Sequence, residues 1–190
     1  MLINEYGYDE KGGVAVYAQH RWRNIFFDNE ERLAFYKEND AVEIGCLDGV
    51  GTLYLSNFFK SVYAIDPWDG RQQGTENKYQ TFVRNASRAK EGNVYHCRTG
   101  SETPQALEFL QKSNPKLSFA FIDGLHTYEA VMNDFNLIRP WCIKGCYIVI
   151  DDTDVAVIDK ACDMISQQVK EVSGLLPNIY DGIRVFEIGD

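Results

Sequence analysis

Apolar and polar positions fall in blocks along this chain, and each block has the period of one kind of element. Residues 41–46 (AVEIGC) form a compact apolar run between Asn39-Asp40 and a glycine-rich turn, the pattern of a buried strand. Similar runs lie at 61–66, 93–98, 117–123 and 146–151. Segments that can continue as helices separate them: through 54–59, then 75–90, 103–113 and 128–141. The segment at 103–113 opens on Thr103-Pro104, with proline at a first-turn position. A further helix is predicted over 155–172, where Val155, Ile158, Cys162, Ile165 and Val169 recur at helical spacing. Upstream, 25–38 has a looser helical pattern in Ile25, Phe26, Leu33 and Tyr36. Two short strands are predicted around Asp181-Gly182, a hairpin turn signal.

Strand and helix thus alternate five times before a terminal hairpin. Near-continuous apolar strands joined by helical crossovers imply a parallel sheet covered on both faces. The expected fold is α/β: a Rossmann-like, doubly wound, mostly parallel seven-stranded sheet with an antiparallel C-terminal hairpin strand. In such sheets ligands bind beyond the carboxyl ends of the strands. A length of 190 residues, with no internal repeat or linker, implies a single domain over 1–190. Residues 39–190 would form the cofactor-binding core. Residues 1–38, rich in Tyr and Phe, would form a lid or acceptor-binding segment, and the loop 69–79 a second wall.

Charge narrows the partners. Lys and Arg total 19 against 28 Asp and Glu, a net charge of −9 that repels phosphate backbones and anionic lipid. Neither a nucleic acid nor a membrane surface is expected as partner. No apolar run approaches the roughly 18 residues of a membrane span. The start, MLINEYGYDEKGG, lacks the basic and apolar regions of a secretory signal. Five cysteines (Cys46, Cys97, Cys142, Cys146 and Cys162) form no zinc-ligand pattern, and a reducing cytoplasm is expected.

The residues at the strand ends carry the functional argument. The first strand runs into Glu43-Ile44-Gly45-Cys46-Leu47-Asp48-Gly49-Val50-Gly51-Thr52, and Asp66 ends the second, 21 residues after Gly45. A glycine turn with a carboxylate at that spacing suits a nucleoside, the acid accepting ribose hydroxyls. The glycine spacing is not that of the dinucleotide fingerprint, and no P-loop lysine follows. Asp123 ends the fourth strand and Asp151-Asp152 the fifth. His126 follows Asp123 closely, and an imidazole titrating near neutrality can take a proton from a hydroxyl. The plainer readings are a helix cap for Asp152 or Asp154, a turn residue for Asp123 and a polar loop histidine for His126.

The stretch VEIGCLDGVGT with Asp66 resembles the first two motifs of class I S-adenosylmethionine-dependent methyltransferases. The segment FAFIDGLHTYEAVMNDFNLIRPWCIKGCYIVIDDTD resembles small-molecule O-methyltransferases of the antibiotic-tailoring type. It departs at Leu47, where many class I enzymes have a glycine. The resemblance implies S-adenosylmethionine as cofactor and transfer of its methyl group to a small-molecule hydroxyl. Glu43, Gly45 and Gly49 would lie by the methionine part, Asp66 on the ribose, Trp68 beside the adenine, Ser101 and Glu102 at the adenine edge, and Asp123 by the sulfonium. Asp123, Asp151 and Asp152 would hold magnesium, with Asp123 and His126 as catalytic residues. So much of the chain goes to the cofactor that a small acceptor, or a homo-oligomer completing the pocket, is expected. The rival readings are a non-catalytic nucleoside-binding regulatory module and an NAD-linked oxidoreductase. Against the second stand the glycine spacing and the lack of a Tyr-x-x-x-Lys pair.

Overall fold

A computed structural model describes residues 26–27, 29–70, 78–89, 92–176 and 182–189. The elements in chain order are α1 (Glu30–Glu38), β1 (Asp40–Ile44), α2 (Val50–Leu55), β2 (Ser61–Ile65), α3 (Lys78–Ala86), β3 (Val94–Cys97), α4 (Pro104–Ser113), β4 (Leu117–Ile122), α5 (Tyr128–Ile138), β5 (Cys142–Ile150), α6 (Ala156–Ser166), β6 (Lys170–Glu171) and β7 (Arg184–Glu187). They build one seven-stranded sheet in the order β3-β2-β1-β4-β5-β7-β6. The first five strands are parallel, and β7 runs antiparallel to both β5 and β6. This is the expected Rossmann-like sheet with antiparallel C-terminal strands.

The period of two along each strand feeds two cores. Val42 and Ile44 of β1 join Leu110 of α4, Phe135 of α5 and Ile158 of α6 on one face. Ala41 joins Tyr36 of α1 and Leu55 of α2 on the other. Strands β1 and β4 are buried along their whole length, which explains their unbroken apolar runs. Helices α4 and α5 start where the sequence predicts, with Thr103 and Thr127 as caps accepting from Ala106 N–H and Ala130 N–H.

Four expectations need correction. Helix α6 stops at Ser166, not near 172, and the periodicity continues to Val169 only because that side chain still packs on the core. Beyond it Lys170–Glu171 pairs with β7, so strand pairing overrides the helical spacing. The two antiparallel strands are therefore not joined by a tight turn at Asp181-Gly182, and Asp181 lies outside the described residues. Strand β5 starts at Cys142, earlier than expected, because a register shift and the left-handed Gly145 (φ 81°) carry the chain through a bulge. The division at residue 38 does not match the core. Phe26, Phe27 and Tyr36 are buried within it, and Arg32 donates to the Gly145 carbonyl at 2.8 Å and to Glu187 at 3.0 Å. The proposed lid over 1–25, with His20, lies outside the described residues, as does 71–77 of the loop 69–79. Among the described residues no helix is long and apolar enough to cross a membrane.

Candidate active site

Strand order reverses between β1 and β4, and a cavity of about 460 Å³ opens there above their carboxyl ends. Its wall includes Gly45, Asp66, Trp68, Ser101, Glu102 and Asp123. Residues from four different strand ends, far apart in sequence, thus meet at one place.

The β1 side is an interlocked loop. Gly45 has φ 85°, and a Cβ there would lie 1.8 Å from the Asp123 carbonyl oxygen. Only glycine lets the ends of β1 and β4 approach this closely. Leu47 also takes a left-handed conformation, φ 47°, at the position where a glycine was expected. Asp66 supports it by accepting from Leu47 N–H at 3.0 Å through one carboxylate oxygen and from Trp68 N–H at 2.7 Å through the other. The Trp68 indole N–H closes the ring by donating to the Leu47 carbonyl at 2.6 Å. Burial raises the pKa of Asp66, while these backbone donors pull it down. Trp68 packs on Phe82 at 4.5 Å and on Tyr79 at 5.1 Å, so its ring is fixed as a flat wall. His96 packs against Phe82 and meets the Tyr79 hydroxyl at 3.0 Å, in keeping with a structural role.

Two expected cofactor residues stand outside the cavity wall. Glu43 is buried, and its carboxylate accepts from the Thr52 hydroxyl at the start of α2. Burial, opposed by that bond, pushes its pKa up to about 8, so it is largely protonated at neutral pH. Gly49 (φ 79°) leads into α2, and the Phe82 ring would meet a Cβ there at 2.6 Å. Its glycine serves packing between α2 and α3.

The rim beside β4 and β5 has a different character. His126 Nε2 lies 3.1 Å from Asp152 Oδ2 and 3.6 Å from Asp123 Oδ1. One ligand atom from each of these residues lies within 4.8 Å of the others. Burial raises the pKa of Asp123 to about 6, opposed by its bond to His126. His126 is shifted upward, chiefly by pairing with Asp123 and further by Asp152. The expected third carboxylate, Asp151, is not in this group. It is buried, and its Oδ1 accepts from Asp152 N–H at 2.9 Å while Asp152 turns left-handed at φ 55°. Asp123 and Asp152 offer hard oxygen donors that fit a divalent cation, with the His126 imidazole beside them.

A buried acid of the wall was not anticipated. Asp134 of α5 is 1% exposed, accepts from the Ser101 hydroxyl, and is driven up to about 7 by burial. Its sequence signal is an acid on an apolar stripe: Val131, Phe135 and Ile138 around it are all buried.

A family model described as a methyltransferase domain matches residues 42–153. The chain belongs to this methyltransferase family. The match spans every residue that lines the cavity, and also His126 and Asp151-Asp152 at the neighbouring rim. An uncharacterised protein of Acanthamoeba polyphaga mimivirus is 34% identical over 137 residues, covering 68% of this chain and 59% of that protein. A rhamnosyl O-methyltransferase of Mycobacterium bovis is 22% identical over 139 residues, covering 70% of this chain and 54% of that protein. The chain therefore spans somewhat more than half the length of these curated relatives. Among solved structures, a TDP-rhamnose 3'-O-methyltransferase of calicheamicin biosynthesis shares the fold with a TM-score of 0.63 at 16% identity, over 84% of this chain and 76% of that one.

Proposed function

We propose that this chain is an S-adenosylmethionine-dependent O-methyltransferase acting on a small-molecule hydroxyl. The observation that carries the reading is the cavity at the β1/β4 reversal, with a ribose-type carboxylate, Asp66, on one side and the Asp123–His126–Asp152 group on the other. Asp66 and the flat face of Trp68 would receive the nucleoside. The acid-lined rim favours the cationic sulfonium, with Asp123 nearest to it. A hydroxyl entering between Asp123 and Asp152 stands within reach of His126 Nε2, which takes its proton as the oxygen attacks the methyl group. The cofactor would supply the methyl group, its C–S bond breaking as the C–O bond forms and S-adenosylhomocysteine leaving. Most of the acceleration comes from holding oxygen, methyl carbon and sulfur in line. Asp123 and Asp152 would hold a divalent ion such as magnesium, which supplies a Lewis acid that lowers the pKa of the hydroxyl. No contact with nucleic acid or membrane is part of this reading, and a cytoplasmic setting accords with the cysteines, all five of which are free.

The acceptor class best supported is a deoxysugar hydroxyl, since both the mycobacterial relative and the structural neighbour are named for rhamnose. The test is mass spectrometry of a rhamnosyl nucleotide, a catechol and a primary amine after incubation with S-adenosylmethionine, with and without magnesium. Methylation of the sugar supports the reading, whereas methylation of the amine alone contradicts it. The rival of a non-catalytic nucleoside-binding module leaves the Asp123–His126–Asp152 group without a task and predicts no transfer to any acceptor.

A further inference from the structure

The two walls of the cavity come from consecutive crossovers that leave strands not adjacent in the sheet. Ser101 follows β3 at one edge of the sheet, while Asp134 sits on α5 after β4, with β2 and β1 between those strands. Nevertheless the Ser101 hydroxyl donates to Asp134 Oδ1, and Asn133 of the same helix donates to the Ser101 oxygen at 3.4 Å. The other carboxylate oxygen of Asp134 faces the β4–α5 turn: a Cβ on Gly124 would lie 3.1 Å from Oδ2. Gly124 follows Asp123 directly and lines the cavity, as do Ser101 and Asp134. One almost fully buried carboxyl therefore touches the adenine-side loop with one oxygen and approaches the acceptor-side turn with the other. A buried acid on an apolar helix stripe is costly, and the apolar face of α5 gains nothing from it in packing.

We infer that Asp134 is a positioning residue that ties the Ser101 loop to α5 and so fixes the purine end of the bound cofactor against the β4–α5 turn. The inference rests on the S-adenosylmethionine reading above. The tie acts through Ser101, whose hydroxyl without Asp134 would keep only the longer contact from Asn133 and leave more of the loop's ordering to the ligand. Ordering a loop at the moment of binding weakens affinity, and a prepaid loop strengthens it. Asp134→Asn keeps an oxygen at the same place that accepts from Ser101, whereas Asp134→Ala does not.

The test is calorimetric titration with S-adenosylhomocysteine of wild type, Ser101→Ala, Asp134→Ala, Asp134→Asn and the double alanine variant. Each alanine substitution weakens binding at least about tenfold, the double variant is no weaker than Asp134→Ala alone, and Asp134→Asn binds within about threefold of wild type. Unchanged affinity in Ser101→Ala or Asp134→Ala overturns the inference, and so do strictly additive losses in the double variant. Rescue by asparagine separates positioning from mere support of the fold. Should Asp134→Ala fail to fold, Ser101→Ala and Asp134→Asn decide between the same outcomes. A wild-type protein that does not bind S-adenosylhomocysteine fails before any substitution is made, and overturns the cofactor reading instead.

Discussion

The two sides of the cavity are held by different physics. On the β1 side, Gly45, Leu47, Asp66 and Trp68 lock one another through backbone hydrogen bonds, close contact and buried rings. On the β4–β5 side, Asp123, His126 and Asp152 are partly exposed and meet through ionic side-chain contacts. An interlocked wall cannot lose one member without losing its shape. A solvated ionic rim can lose a member and keep its shape while its chemistry fails. Substitutions on the first side should thus change stability and cofactor affinity together, and those on the second should change rate alone.

The largest effect that tests this contrast is expected at Gly45. Gly45→Ala places a methyl group against the Asp123 carbonyl at an unfavourable φ, with a stability loss above about 3 kcal/mol in chemical denaturation and no measurable cofactor binding. A stable, ligand-binding Gly45→Ala protein would break the picture of an interlocked wall. Next comes His126→Gln, expected to lower kcat about 10²- to 10⁴-fold while the melting temperature stays close to wild type. Because pairing raises the His126 pKa above 6.5, activity should climb with pH through a midpoint above 6.5 in wild type, and that limb should vanish in the variant. The stability that the pair contributes has the opposite trend: it is fully present below pH 6.5 and is lost as pH rises through the raised value.

A smaller effect is expected at Asp66. Asp66→Asn still accepts from a backbone N–H but loses the charge that favours ribose hydroxyls, so S-adenosylhomocysteine binding should weaken about tenfold by fluorescence titration. The smallest effect on catalysis is at Glu43. Its carboxyl is protonated in the fold until about pH 8 but only to about 4.5 when unfolded, so the folded state holds the extra proton. Stability should therefore fall as pH rises between those values, and Glu43→Gln should flatten that fall while changing stability at pH 4 by less than about 1 kcal/mol. A loss of S-adenosylhomocysteine affinity in Glu43→Gln comparable with that of Asp66→Asn would return Glu43 to the cofactor site.

The β1 side was legible because local sequence specifies it. A strand, a glycine turn and an acid at a fixed offset carry their geometry in spacing alone, and Gly45 and Asp66 reach the wall, as does Trp68, to which the family resemblance pointed. Glu43, which the resemblance set by the methionine part, stands off the cavity wall because Thr52 draws it inward, and the residue order does not tell which way such a side chain turns. Asp151 falls outside the Asp123–His126–Asp152 group because a left-handed residue at Asp152 reorients the carboxylates, and nothing in the residue order announces that turn. Asp134 was invisible for a different reason: its partner Ser101 lies 33 positions away across two crossovers. Strand β6 was hidden for a similar reason. Two residues pair only with a strand that comes later in the chain, while their neighbours keep a helical period.

The central claim is that the cavity receives S-adenosylmethionine across the ends of β1 and β4. Calorimetric titration of the whole chain and its Asp66→Ala variant, with S-adenosylhomocysteine and with NAD, tests it most directly. Saturable binding of S-adenosylhomocysteine to one site, lost in Asp66→Ala and absent for NAD, is the predicted result. Binding of NAD alone, or S-adenosylhomocysteine affinity indifferent to Asp66, would contradict it.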